Sequence, residues 1–294
     1  MKILVTTDGS PRSAAVFPHA ANLARAINAE LLLLRVLNPL TDCADVLSPQ
    51  LGDAVRTVAA RWTDELTTTL AGLNVKGNVL VEVLRLREHV DEVILKMASE
   101  HDAGLLAMSS RGSGIVRHAL FGSVALNLVG KLRVPVLVAG THIESPALRD
   151  PYHIVVTTDG SEDAGHAVDA IVPLAVHDSV RVTLLRIHVP HQGDRGDAAE
   201  VAIATESLEK LRAKFPDPAA VATVVRSIVR GGGVDTAILA AAAEAGASVV
   251  AISTYGHNRS YHTFVGSTAM GVLSHSTLPL LLVRSAPTKA PKAS

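Results

Sequence analysis

Cysteine, aromatic residues and an excess of charge of either sign are nearly missing from this sequence. Cys43 is the only cysteine in 294 residues, which excludes an internal disulfide and is typical of a reducing compartment. The net charge is −1, with Lys and Arg spread along the chain, which argues against nucleic-acid binding and against an anionic membrane surface. Any ligand is therefore expected to be a small molecule.

Long apolar runs are missing as well. No stretch of about 18 apolar residues is present to span a bilayer, and the start MKILVTTDGS reaches a turn too soon for a signal peptide. We therefore expect a soluble, cytoplasmic protein with no membrane and no nucleic acid among its partners.

Aliphatic residues, by contrast, are abundant. Apolar residues make up 48% of the chain and aromatic residues only 3%, which favours helices packed on buried aliphatic strands. The length is generous for one domain and sufficient for two, each with a core of its own.

An internal repeat supports two domains. The string VTTDGS occurs at 5–10 and again at 156–161, an offset of 151 residues that persists through LLLLRVLNP and VTLLRIHVP. The offset is 144 for VDEVILKMASE at 90–100 and VDTAILAAAAE at 234–244, because the second half is seven residues shorter between these points. The chain is thus one pattern written twice.

Within each half, short apolar runs alternate with longer segments of helical spacing. In the first half the runs predict strands at about 2–7, 30–37, 78–85, 103–109 and 134–139. Such alternation predicts an α/β fold in which each half is a parallel sheet with helices on both faces. The polar segment 141–151 contains prolines and is the predicted linker between domains at 1–141 and 151–285.

A second repeated motif follows strand 4 of each half. SSRGSGIVRHALFGS, at 109–123, agrees with STYGHNRSYHTFVGS, at 253–267, at only five positions, two of them glycines. Glycine allows close approach to a phosphate, and a helix starting at Gly122-Ser123 would direct free N–H groups at that anion. The same glycines also fit ordinary turns and caps, and His118 and His262 fit either a phosphate site or the surface.

The spacing G-x2-G-x9-G-[S/T] after strand 4, with an Asp after strand 1, resembles the universal stress protein family, in two tandem copies over nearly the whole chain. The resemblance implies two Rossmann-like domains of the adenine nucleotide alpha hydrolase-like kind, each with five parallel strands in the order 3-2-1-4-5. It also implies binding of ATP, or of ADP or AMP, with or without Mg²⁺. The family's domains pair through their last strands, which a tandem chain could achieve internally, and a homodimer is a further expectation.

The family's site residues transfer to both halves of this sequence. In the first half the implied nucleotide-binding residues are Thr7, Asp8, Val36, Met108, Ser109, Arg111, Gly112, Gly122, Ser123 and Val124. In the second half they are Thr158, Asp159, Ile187, Ile252, Ser253, Gly256, Gly266, Ser267 and Thr268. Ser109 and Ser253 stand where the family has its first glycine, which would cost on the order of 1 kcal/mol if φ there is positive.

We expect a regulatory or binding module rather than an enzyme, with no catalytic and no metal-ligating residues. The sequence contains no HExxH, no GxSxG and no tight cluster of His, Cys and Asp. One alternative is a slow ATP hydrolase of the related PP-loop type, although TTDGSPRS and TTDGSEDA do not match its SGGxDS-like loop. The other is a structural or partner-binding protein that binds no nucleotide.

Overall fold

The computed structural model describes residues 1–44, 50–112, 120–131, 133–146, 149–190, 197–229, 232–254 and 265–284. The chain divides into two compact units, residues 1–148 and 149–294. The predicted domain bounds, 1–141 and 151–285, stay a prediction. Gly256, His118 and His262 lie outside the described residues.

The first unit has a five-stranded parallel sheet in the order β3-β2-β1-β4-β5. Its strands are β1 (Lys2–Thr7), β2 (Glu30–Leu37), β3 (Gly77–Val83), β4 (Ala103–Ser109) and β5 (Val136–Ala139). Its helices are α1 (Pro11–Ala14), α2 (Phe17–Ala26), α3 (Pro39–Asp42), α4 (Leu51–Leu73), α5 (Val90–Glu100) and α6 (Ser123–Lys131).

The second unit repeats this topology, with parallel strands in the order β8-β7-β6-β9-β10. Its strands are β6 (Tyr152–Thr157), β7 (Val180–His188), β8 (Val221–Ser227), β9 (Val249–Ser253) and β10 (Leu280–Val283). Its helices are α7 (Glu162–Ile171), α8 (Asp197–Arg212), α9 (Val234–Glu244) and α10 (Ser267–His275). The α/β prediction and the strand order 3-2-1-4-5 are confirmed in both units.

The central strands are apolar because they are buried. Ile3, Leu4 and Val5 of β1 have no exposed surface, and neither does Val156 in the equivalent β6. A strand covered on both sides reads as a continuous apolar run rather than as an alternation, which is why the sequence located these strands.

Two predicted strand ends differ from the structure. The strand predicted at 78–85 ends at Val83, because Glu88 accepts the backbone N–H of Arg85 and closes a turn there. The strand predicted at 134–139 starts only at Val136, since the preceding Pro135 has no N–H to give to a neighbouring strand.

Serine starts the first helix of each unit. The hydroxyl of Ser10 accepts the N–H of Ser13 at 3.2 Å, with Pro11 in the first turn of α1, and Ser161 caps α7 by accepting the N–H of Ala164 at 3.1 Å. A serine cap of this kind satisfies an N–H group that has no acceptor within the helix. Among the described residues, no helix is long and apolar enough to cross a membrane.

Candidate functional site

Each unit has a cavity at the carboxyl ends of its central strands. The first has a volume of about 490 Å³ and is lined from β1, β2, β4, α5 and α6. The second has a volume of about 190 Å³ and is lined from the equivalent strands and from α9 and α10. Open parallel sheets bind ligands at this edge, and pockets for small molecules have volumes of about 300–1,000 Å³.

The predicted site residues within the described ranges line these two cavities. Around the first lie Thr7, Asp8, Val36, Met108, Ser109, Arg111, Gly112, Gly122, Ser123 and Val124. Around the second lie Thr158, Asp159, Ile187, Ile252, Ser253, Gly266, Ser267 and Thr268. The structure thus brings together segments that are about 100 residues apart in the chain; their role in nucleotide binding stays a prediction.

The turn after β1 is held by its own side chains. Gly9 has a φ of +83° and donates its N–H to the hydroxyl of Thr7 at 3.0 Å. Ser10 donates its N–H to Asp8 Oδ1 at 2.9 Å. Glycine is the residue that adopts this φ without strain, so the turn fixes Asp8 at the cavity edge.

The turn after β6 repeats this geometry closely. Gly160 also has a φ of +83° and donates to Thr158 Oγ1 at 3.0 Å, and Ser161 N–H donates to Asp159 Oδ1 at 2.9 Å. One contact is new: the Ser161 hydroxyl also donates to Asp159 Oδ1, at 2.6 Å.

Position 112 has no room for a side chain, because Asp8 lies against it. A Cβ built on Gly112 would overlap Asp8 Oδ2, so the carboxylate lies directly against the backbone that begins the predicted phosphate loop. Asp8 and Gly112, which the sequence motif gives as two separate positions, are therefore in direct contact.

A glycine precedes the helix that faces each cavity. Gly122 donates its N–H to the Ser110 carbonyl at 2.8 Å, and Gly266 donates to the Thr254 carbonyl at 2.7 Å. Helices α6 and α10 start at the next residue, so the predicted helix starts at Ser123 and Ser267 are confirmed. The first N–H groups of a helix have no intrahelical acceptor and carry partial positive charge, a suitable arrangement for an anion.

The serines at the family's first glycine are not strained. Ser109 and Ser253 are the last residues of β4 and β9, in extended backbone, so no positive φ is required of them. The Ser109 hydroxyl donates to the Arg12 carbonyl at 2.8 Å, which ties helix α1 to the end of β4. The expected cost of about 1 kcal/mol therefore does not apply.

An arginine that sequence reasoning missed lies under each turn. The guanidinium of Arg35, on β2, would overlap a Cβ built on Gly9, and Arg186 Nη1, on β7, would lie 2.5 Å from a Cβ built on Gly160. Burial lowers the pKa of Arg35, while the nearby carboxylates Glu65, Asp42 and Asp8 act to raise it. The available signal was a charged residue at the same repeat position in two apolar strands.

Polar side chains at the same repeat positions join the helices beside each cavity. Lys131 Nζ, at the end of α6, lies 2.7 Å from Asp91 Oδ2, at the start of α5. Burial acts to raise the pKa of Asp91, but the hydrogen bond and charge of Lys131 outweigh burial and hold that pKa below its ordinary value. In the second unit Asp235 and His275 occupy these positions, 3.7 Å apart.

Further cavity residues were not predicted. Those of the first cavity include Ser13, Asn38, Thr41, Asp42, Trp62 and Phe121, and those of the second include Leu185, Val234 and Ile238. Trp62 comes from α4, far along the chain from the motifs, and no local signal connects it with them. Within the described ranges, no three His, Cys, Asp or Glu side chains are grouped so that they could hold a metal ion.

Two segments of the sequence, 1–140 and 152–284, match the family model described as the universal stress protein family. The chain belongs to the universal stress protein family. Its two copies of the family domain stand in tandem and together account for most of its length. No curated protein matches the sequence.

Two solved structures that cover nearly the whole chain are similar to it in fold. One, a universal stress protein from Archaeoglobus fulgidus, is 21% identical, with a TM-score of 0.69, and the alignment covers 96% of this chain and 98% of that one. A functionally unknown protein from Pseudomonas aeruginosa is 15% identical, with a TM-score of 0.61 and coverages of 97% and 92%. A universal stress protein in complex with cAMP covers 47% of this chain and 100% of its own, at 22% identity and a TM-score of 0.36.

Proposed function

We propose that this universal stress protein is an adenine-nucleotide-binding module of a stress response, with ATP, ADP or AMP held in the cavity of each half. The observation that carries the proposal is the glycine that caps helix α6 at a cavity of about 490 Å³. The nucleotide's phosphates would lie at the start of α6, and its nucleoside would lie deeper, toward Val36 and Met108.

The residues present suit such a ligand. Among the residues that the structure describes, the nearest atom to a Cβ built on Gly122 is the Ser110 carbonyl oxygen, at 3.9 Å. None of the described residues therefore fills the space beside this backbone. Arg111 lines the same cavity and adds a positive charge, and its buried Nε has no hydrogen-bond partner among the described residues. Apolar side chains on the opposite wall provide the surface that an aromatic base requires.

Binding rather than turnover is the proposed role. The described residues supply hydroxyls, backbone N–H groups and an arginine at the cavity, all of which stabilise bound phosphates. A universal stress protein of this kind would act by changing state when a nucleotide occupies it, and we expect ATP in the site to persist over many minutes.

The proposal is tested by identifying and titrating the ligand. The purified protein is denatured and any released nucleotide is identified by mass spectrometry, and the nucleotide-free chain is then titrated with ATP by calorimetry. We expect ATP, ADP or AMP to be released and ATP to bind with a measurable Kd. Undetectable binding of ATP, ADP and AMP alike by the folded chain would contradict the proposal.

A variant locates the first site. Gly122→Val adds a side chain that clashes with none of the described residues and would stand where the phosphates are proposed to bind. We therefore expect at least a tenfold weaker Kd at the first site and an unchanged second site. Gly72→Val is the matched control, because a Cβ on Gly72 in α4 meets no atom of the described residues within 4 Å, and Gly72 is not among the described residues that line the cavity. Equal affinity in both variants would place the nucleotide elsewhere.

A further inference from the structure

The arginine of the second strand is kept in both halves. Arg35 lies in ELLLLRVL and Arg186 in VRVTLLRIH, at the repeat offset of 151 residues. The fully buried residues of these strands are apolar, apart from Thr183 and His188 in β7. A partly buried charge destabilises the fold unless it has partners. Both halves nevertheless have an arginine at this strand position. The partners therefore indicate what the arginine does.

Arg35 is enclosed by groups from two different elements. Its guanidinium carbon lies 3.4 Å from the centre of a Trp62 ring, and its Nη1 lies 3.5 Å from Glu65 Oε2, both on α4. The same guanidinium would overlap a Cβ on Gly9, so it packs against the backbone of the Asp8-Gly9 turn. The side chain is 15% exposed. It is thus a planar group between α4 and the turn.

We propose that Arg35 and Arg186 are positioning residues that hold the Asp-Gly-Ser turns in the shape needed for nucleotide binding. This inference rests on the proposed function. Arg35 packs against the glycine of the turn, and the turn presents Asp8 to the backbone of Gly112, where the phosphate loop begins. If the guanidinium is displaced, the turn is no longer held in place, and the contact between Asp8 and the backbone of Gly112 is lost as well.

A lysine cannot replace this arginine. The guanidinium is flat and can lie between an indole ring and a glycine backbone, while an ammonium group is compact, strongly hydrated and makes no stacked contact of this kind. Glycine at positions 9 and 160 then has two causes, the positive φ and the arginine beside it.

Hydrogen exchange tests the positioning role without any nucleotide. Arg35→Met and Arg35→Lys are expected to speed exchange of the Ser10 and Ser13 amides at least tenfold, because these amides donate to Asp8 Oδ1 and to Ser10 Oγ within the turn. Arg61→Met is the matched control, since Arg61 lies on α4 and pairs with the same Glu65 at 3.7 Å but is 64% exposed.

Nucleotide affinity gives the second measurement. In Arg35→Met and Arg35→Lys we expect the Kd for ATP at the first site to rise at least tenfold while the second site is unchanged. In Arg186→Met the second site and the Ser161 and Ala164 amides should change instead, which keeps the test available if the Arg35 variants do not fold.

The outcomes separate the two proposals. Failure of the unaltered chain to bind any adenine nucleotide overturns the proposed function, and exchange at the turn still decides whether the arginines position it. Exchange that stays at the original rate in both Arg35→Met and Arg186→Met overturns the positioning role. Faster exchange of the turn amides with an unchanged Kd for ATP also overturns it. A lower melting temperature without faster exchange and without a higher Kd does the same.

Discussion

The two halves of this chain agree in their backbone contacts and differ in what surrounds them. The turn glycine has a φ of +83° in both, and the glycine before the cavity helix makes an N–H bond of 2.8 Å in one half and 2.7 Å in the other. The cavities, however, measure about 490 Å³ and about 190 Å³. Duplication has kept the features that depend on glycine and has let the side-chain lining diverge.

The divergence has a local cause that can be named. The first cavity is lined by Asn38, Thr41 and Asp42 from around α3 and by Trp62 from α4, which extend it beyond the strand ends. The described lining of the second cavity contains no residue from α8, the helix in the equivalent place. We therefore expect the first half to be the stronger nucleotide site.

The largest difference between the halves is expected at the charged pairs. Asp91→Asn should destabilise the first unit by about 2 kcal/mol, because a buried carboxylate loses its charge-assisted hydrogen bond with Lys131. Asp235→Asn should destabilise the second unit by less than about 0.5 kcal/mol, since its partner His275 is 70% exposed. Slow amides of β4 and β9 report the two units separately in hydrogen exchange. Equal losses would show that the pairs are equivalent after all.

Acid should lower the stability of each half through one buried histidine, His19 in the first half and His153 in the second, which lie at different positions of the repeat. Burial lowers the pKa of His19 and of His153, in spite of the backbone carbonyls of Glu144 and Ala245 that each contacts. Because the unfolded chain takes up protons first, the stability from these groups is complete above about pH 6.5 and declines as the pH falls. The decline is at most about 1.4 kcal/mol per pH unit for each histidine.

Urea midpoints at pH 7 and pH 5 check this expectation. His19→Gln and His153→Gln should each make the fall in stability between these pH values smaller than in the unaltered chain. His142→Gln, in the exposed segment after β5, serves as the control and should leave the fall unchanged. If stability falls by the same amount between pH 7 and pH 5 in all three variants, the loss does not come from His19 and His153.

The smallest expected difference concerns the two capping glycines. Among the described residues, a Cβ on Gly266 would lie 3.2 Å from its nearest atom, the Thr254 carbonyl oxygen, whereas a Cβ on Gly122 would lie 3.9 Å from its nearest atom, the Ser110 carbonyl oxygen. We expect Gly266→Ala to cost about 1 kcal/mol and Gly122→Ala to be neutral or stabilising by about 0.5 kcal/mol. Thermal unfolding of the two variants decides the order, and a reversed order would contradict it.

Much of the fold could be predicted because the signals were local and written twice. Apolar runs located the strands, and the repeated glycine motif located the start of α6. The end of β3 and the start of β5 differ from the prediction, because they depend on the side chain of Glu88 and on the missing N–H of Pro135.

The candidate site was predictable only where the repeat marked it. Glycines at fixed spacing led to the cavity edge, but Trp62 reaches it through the packing of α4, which no short motif records. Arg35 was visible in the repeat, yet a charge in an apolar strand gives no indication of its partner until Gly9 and α4 are brought beside it.

The position of Trp62 also gives the first half an optical label of its own. It is the chain's only tryptophan, it lines the first cavity, and it is stacked on Arg35. A ligand that enters this cavity changes the surroundings of the indole. The tryptophan fluorescence of Trp62 therefore reports ligand binding in the first half, and the second half has no tryptophan that would contribute to the signal. The occupancy of the first half can thus be followed separately from that of the second, with no added dye.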